Sequence, residues 1–242
     1  MRTKRAFDLF VAIAAGIVWV PVLLGSALMV LVMSGRPVFY RSNRWVRTGT
    51  MVRTIKFRTM VKNADKLVNR TTVPVEGVRF LNIPPDSPLY TRPGRILEAL
   101  GLTEIPQLIH VLRGEMSIVG NRPLPDNVMS CLRAEYSYAD DRFLTSAGLT
   151  GPVQLVGRDS LSDSERLRIE GAYCHAVVHG YRLRLDFTVL LSTVLIVAHI
   201  KAPLDYQGVM DLIDRHTRPT RVRRTGGTVS VVEDALTQSD VA

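Results

Sequence analysis

A chain of 242 residues, 46% hydrophobic and 22% charged, is long enough to bury a core and too apolar for a disordered linker. Its net charge of +9 calls for an anionic partner or surface. Its two cysteines, Cys131 and Cys174, are too few for a disulfide framework or a thiolate metal site and fit a reducing compartment. The charge is concentrated, since residues 1–62 hold eleven Lys or Arg against a single acid, Asp8.

Residues 9–33 carry no charge. As a helix they extend about 37 Å, more than the ~30 Å hydrocarbon core of a bilayer. Pro21 lies near the middle, Asp8 at the entrance, and basic residues flank both ends: Arg2, Lys4 and Arg5 before, Arg36, Arg41, Arg44 and Arg47 after. Positive flanks place both ends on the cytoplasmic side, which predicts a re-entrant anchor that breaks at Pro21 and returns to the same face. A straight span is the competing reading; a cleaved signal peptide fits less well, because the apolar run is too long.

Residues 37–60 alternate Val, Phe, Tyr and Ile with Arg and Lys around Thr48-Gly49-Thr50, the pattern of a basic β-hairpin. Residues 61–93 are turn-rich, with Pro84, Pro85, Pro88 and Pro93. Ile105, Leu108, Ile109 and Leu112 then share one stripe of a short helix, with Thr103 placed to cap it, Glu104 in its first turn and Arg113-Gly114 at its end. Ser162 and Glu165 have capping-box spacing and open another helix. Residues 187–200 are apolar but too short to cross a bilayer, so they read as a buried or interfacial helix. Beyond residue 204 the periodicity fades into a Thr-, Arg- and Gly-rich stretch, read as a tail.

The predicted organisation is a membrane anchor over 1–36, a mixed α/β domain over 37–203 with the basic hairpin and interfacial amphipathic helices, and a partly disordered tail over 204–242. No nucleic-acid motif accompanies the basic charge, so a membrane-tethered nucleic-acid binder is the weakest of the function classes considered. His175 and His179 have the spacing of metal ligands on one helical face, but no third ligand is evident and neither they nor His110 and His199 are assigned.

Several segments, in order, resemble the bacterial sugar transferases, the polyprenyl-phosphate phosphoglycosyltransferases, over about residues 2–200. They are Lys4-Arg5-Ala6-Phe7-Asp8, Pro37-Val38-Phe39-Tyr40-Arg41, Lys56-Phe57-Arg58-Thr59-Met60, Arg92-Pro93-Gly94-Arg95, Glu104-Ile105-Pro106-Gln107-Leu108, Leu112-Arg113-Gly114-Glu115-Met116-Ser117, Gly120-Asn121-Arg122-Pro123, Gly148-Leu149-Thr150-Gly151 and Gly157-Arg158. The resemblance implies an enzyme on the cytoplasmic face of the bacterial inner membrane that moves a phosphosugar from a nucleotide sugar, a UDP-sugar being the expected donor, to polyprenyl phosphate. Nucleoside monophosphate leaves, and assembly of an exopolysaccharide or other surface glycan begins. It also implies Mg2+, and it leaves self-association open.

Such chemistry gathers several negative charges and needs guanidinium and ammonium groups beside a divalent cation. Lys56, Arg58, Arg95 and Arg122 are the expected phosphate-binding residues. The family has an Asp-Glu pair where this chain has Thr103-Glu104, the Asp being the nucleophile and the Glu a metal ligand. A threonine hydroxyl must lose its proton before it attacks, whereas an aspartate is already ionised. Three readings follow: Glu104 is the nucleophile, with Glu115 or substrate oxygens on the metal; the lipid phosphate attacks directly; or the chain is an inactive relative that binds lipid phosphate, nucleotide sugar or a partner transferase. Smaller departures are Val20 before Pro21, Asn121 where Pro is common, and Gly151-Pro152-Val153 in place of an aromatic step.

Overall fold

The computed structural model describes residues 2–64, 87–156 and 161–217. The expected turn-rich segment therefore lies mostly outside the described residues, as do Gly157-Arg158 and the last 25 residues of the tail.

Helix α1, Arg2–Ser34, is uninterrupted, with Pro21 inside it. A proline removes one donor, and this single loss does not end a helix whose apolar side chains favour internally paired backbone. Its buried residues fall in two patches, Lys4, Asp8 and Ala12 near the start and Ser26 and Val30 near the end. Between them the apolar side chains stand open, Ile17 being 81% exposed. α1 is long and apolar enough to cross a membrane.

Strands β1 (Phe39–Arg47) and β2 (Thr50–Phe57) form the expected antiparallel hairpin. Its turn passes through Gly49 at φ +67°, a conformation that glycine adopts without a Cβ clash. The register places Tyr40 opposite Lys56, Ser42 opposite Thr54 and Arg44 opposite Val52, so these side chains share one face. Helix α2, Arg92–Ala99, is capped by Thr91, whose hydroxyl accepts from Gly94 N. A 3-10 turn, Ile105–Gln107, leads into α3, Leu108–Arg113, which ends at Gly114 in the left-handed conformation.

Strand β3 (Ser117–Val119) pairs in parallel with β4 (Gly148–Thr150), and α4 (Asp126–Glu135) lies between them in sequence. Helix α5, Asp163–Gly180, opens on the expected capping box, Ser162 and Glu165 each bonding the other's backbone. Helices α6 (Leu183–Val197) and α7 (Tyr206–His216) close the domain. The main core joins Val111, Met116, Ile118, Val119, Leu155, Ile169, Tyr173, Leu185, Val189, Val209 and Ile213.

Three expectations need correction. α7 begins past the boundary drawn at residue 203 and buries Val209 and Ile213 in that core, so residues 206–216 are part of the domain and not tail. A helix this short offers only two inward positions, too few to stand out in a polar stretch. Thr103 caps nothing: the chain enters by the 3-10 turn with Glu104 at the cap position and no side-chain bond there. In α3 half of the expected stripe turns outward: Ile105 is buried and Leu108 packs on the core, while Ile109 and Leu112 are exposed and His110 and Val111 are buried instead.

The β3–β4 junction depends on glycine. A Cβ on Gly148 would stand 2.1 Å from Gly120 N, and one on Gly151 2.2 Å from Gly120 O. Gly148→Ala is therefore expected to cost at least about 2 kcal/mol, read as a fall in melting temperature, while Gly16→Ala, which meets nothing within 4 Å, is neutral or better.

Candidate active site

The site forms where the hairpin meets the start of the 3-10 turn. Phe57 N donates to Thr103 O at 3.0 Å, which fixes Lys56 beside Thr103-Glu104. From the other side Arg122 reaches in, its Nη2 donating to Glu104 Oε1 at 2.6 Å. Lys56 lies over the Tyr40 ring at 5.6 Å, and Arg44, two residues along the same strand face as Ser42, donates from Nε to Ser42 Oγ at 3.0 Å.

The loop that carries Arg122 is held from beneath. Gly120 N donates to Thr150 O at 2.7 Å and Gly148 N to Asn121 O at 2.9 Å. Arg142, 1% exposed, donates to Arg122 O at 2.8 Å and to Glu170 Oε1 at 2.9 Å. Asn121 Nδ2 donates to Arg142 O and Glu170 O. Asn121 thus replaces the shape a proline would impose with hydrogen bonds to buried carbonyls.

The electrostatics are those of an anion site. Burial pushes the Lys56 ammonium below the usual lysine value of 10.5; Arg44 and Arg122 add to the effect, and Glu104 and Glu98 oppose it. Burial, then Arg122, lowers the Arg44 guanidinium, with Tyr40 and Glu104 opposing. Three cations converge on Glu104, an excess that a polyphosphate would neutralise. Charged Lys56 is needed for that purpose. On the free protein, kcat/KM is thus expected to fall on the alkaline side below pH 10.5 as Lys56 loses its proton, and Lys56→Arg to remove that limb. The stability sign is opposite: the burial cost of the charged Lys56 is relieved as pH rises through its lowered value.

The expected site residues divide. Lys56, Thr103, Glu104 and Arg122 come together. Arg58 stands at the end of α1, its Nη2 donating to Ser34 O at 2.5 Å and Gly35 O at 3.0 Å. Arg95 is exposed on α2 and donates to Ser87 O at 3.1 Å. Glu115 is paired with His110, Nδ1 to Oε2 at 2.5 Å, and not with Glu104. The Thr103 hydroxyl, in a residue 7% exposed, makes no hydrogen bond among the described residues. Sequence reading missed Arg44 and Tyr40; alternation along the hairpin, which puts both on the face of Lys56, carried the signal.

A carboxylate faced by three cations, in a chain whose first helix is long and apolar enough to cross a membrane, is a site suited to phosphate chemistry. The bacterial sugar transferase family model matches residues 1–200, and the chain belongs to that family. It is 32% identical to the exopolysaccharide production protein ExoY of Sinorhizobium fredii over 197 residues, 79% of this chain and 84% of the relative. It is 31% identical over 195 residues to the UDP-glucose:undecaprenyl-phosphate glucose-1-phosphate transferase of Caulobacter vibrioides, covering 79% of this chain and 68% of that one. The match to the undecaprenyl-phosphate galactose phosphotransferase of Salmonella typhimurium is 29% identical over 202 residues and spans 40% of that longer protein.

Proposed function

We propose that the chain transfers a phosphosugar from a nucleotide-activated sugar to polyprenyl phosphate at the cytoplasmic face of the inner membrane, as the first step of an exopolysaccharide or related surface glycan. The observation that carries this reading is the Glu104–Arg122 pair set against Lys56 and Arg44, in a chain whose relatives are named for sugar-phosphate transfer to undecaprenyl phosphate. A UDP-sugar is the donor class.

In this reading α1 enters and leaves the bilayer on one side. Both its ends dock on one domain: Lys4 on Asp186 and Asp8 on Ser117 and Ile118 N at the start, Val30 on Phe57 and Leu97 and the Ser34 carbonyl on Arg58 at the end. A straight span would separate those ends by the thickness of the membrane. The exposed stripe of α6, Leu183, Phe187, Leu191 and Val194, lies in the interface beside it.

Among the described residues no group of three acidic, His or Cys side chains gathers as a metal site. Glu104 nevertheless suits Mg2+, which takes one or two carboxylates and fills its remaining places with water and substrate phosphates. Glu104 would hold it, and when bound it would neutralise phosphate charge.

The attacking atom is an oxygen of the lipid phosphate. It forms the new P–O bond at the sugar-bearing phosphorus while the bond to the nucleoside monophosphate breaks and that group leaves with the electron pair. Thr103 has no hydrogen-bonded base among the described residues, and Glu104 is assigned to the metal and to Arg122, so the direct route needs no protein nucleophile. Lys56, Arg44 and Arg122 take the charge spread over the transferring group. The test is a single-turnover experiment with donor labelled in its sugar phosphate and no lipid. No label should stay on the protein, whereas Thr103→Asp should become labelled; label on the parent chain at Glu104 would overturn the direct route.

A further inference from the structure

A second basic site lies at the end of α1, apart from the Glu104 cluster. A cleft of about 630 Å³ is walled by Met33 and Ser34 of α1, by Arg58, Val61 and Lys62 beyond β2, and by Thr91, Arg92 and Pro93 at the start of α2. Among the described residues that line it are three cations and no acid. Its rear wall is rigid: Thr91 N and Oγ1 both donate to Thr59 O, at 2.9 and 3.1 Å, and Gly94 packs so closely on Thr59 that a Cβ would meet its carbonyl at 1.9 Å.

Arg58 is 6% exposed. One nitrogen caps the last carbonyls of α1, but Nε and Nη1 are buried with no acceptor among the described residues. Unpaired buried donors on a cation are costly, and a phosphate oxygen is the acceptor that satisfies them best. Apolar surface leads away from the cleft along α1, where Leu28 and Val32 lie one turn apart on one face and Val32 is 75% exposed.

We infer that this cleft seats a phosphate monoester borne on a long apolar chain, the phosphate at Arg58, Lys62 and Arg92 and the chain along the outer face of α1. Arg58 follows Lys56 by two residues, just past the end of β2, so one short stretch of chain carries a cation of each site. The inference rests on the transferase reading: the seat is where the acceptor lipid docks before transfer, and donor phosphates occupy the Lys56–Arg122 side.

The test is binding to the full chain in detergent, by calorimetry, of a short polyprenyl phosphate, a short-chain phosphatidylglycerol and inorganic phosphate. The parent chain is compared with Lys62→Glu/Arg92→Glu, two exposed positions whose change spares the fold, and UDP-sugar affinity is measured in parallel. The polyprenyl phosphate should bind the parent at least about tenfold more tightly than either other probe and lose at least about tenfold in the variant, with donor affinity unchanged. Equal binding of phosphatidylglycerol would make the cleft a seat for bulk lipid; equal binding of inorganic phosphate would make it a plain anion site; an unaffected variant would place the acceptor elsewhere. Each result overturns the inference. Binding is read without turnover, so an inactive parent that still binds in this pattern refutes the transfer reading alone.

Discussion

Glu104→Gln should abolish release of nucleoside monophosphate, lowering turnover by about three orders of magnitude while leaving the fold intact. Three cations converge here on one carboxylate, and glutamine keeps its shape but not its charge. Without that charge Arg122 loses its ion pair at 2.6 Å, and Lys56 and Arg44 lose the nearby anion that offsets their burial. The carboxylate that would hold Mg2+ is also gone. Because Glu104 lies at a partly exposed turn, the melting temperature should move little. Arg122→Ala should cost less, about two orders of magnitude, since Lys56 and Arg44 remain to meet the phosphates.

The second large effect falls on stability. Lys4 Nζ donates to Asp186 at 2.5 Å, to Val119 O at 2.8 Å and to the Tyr173 hydroxyl at 3.1 Å, and Tyr181 also donates to Asp186 at 3.0 Å. Both charges are sealed from solvent, Asp186 being 0% exposed. Removing one partner of such a pair strands the other, so Asp186→Ala should destabilise the chain by about 3–5 kcal/mol and loosen α1 from the domain. The paired change Lys4→Met/Asp186→Leu removes both charges and should recover most of that loss. Denaturation of the detergent-solubilised variants reads both outcomes, and equal damage from the single and double changes would mean that packing, not charge, sets the cost.

How far the sequence revealed this arrangement depended on how local each signal was. The hairpin and the Ser162–Glu165 box rest on neighbours in sequence, and both appear where alternation and capping chemistry placed them. The meeting of Glu104 with Arg122 joins positions eighteen residues apart, and only the family motifs linked them beforehand. Arg58 sits in the same short motif as Lys56, yet it faces the end of α1, because the chain leaves the ladder at Phe57. Arg142 and Glu170, which secure the Arg122 loop from below, gave no local sign, since a buried ion pair has no periodicity of its own. Lys4 and Asp8 showed only as charges beside an apolar run; their partners, Asp186 and Ser117, lie more than a hundred residues away.

The most direct measurement is mass spectrometry of the lipid after the purified chain is incubated with polyprenyl phosphate, Mg2+ and a panel of nucleotide sugars. The expected result is a polyprenyl diphosphate-linked sugar and nucleoside monophosphate in equal amounts from one donor, with neither product from Glu104→Gln. If the parent chain leaves every donor and the lipid unchanged while Thr103→Asp yields the product, transfer is contradicted, and the chain is a binding relative that lacks the family's nucleophile.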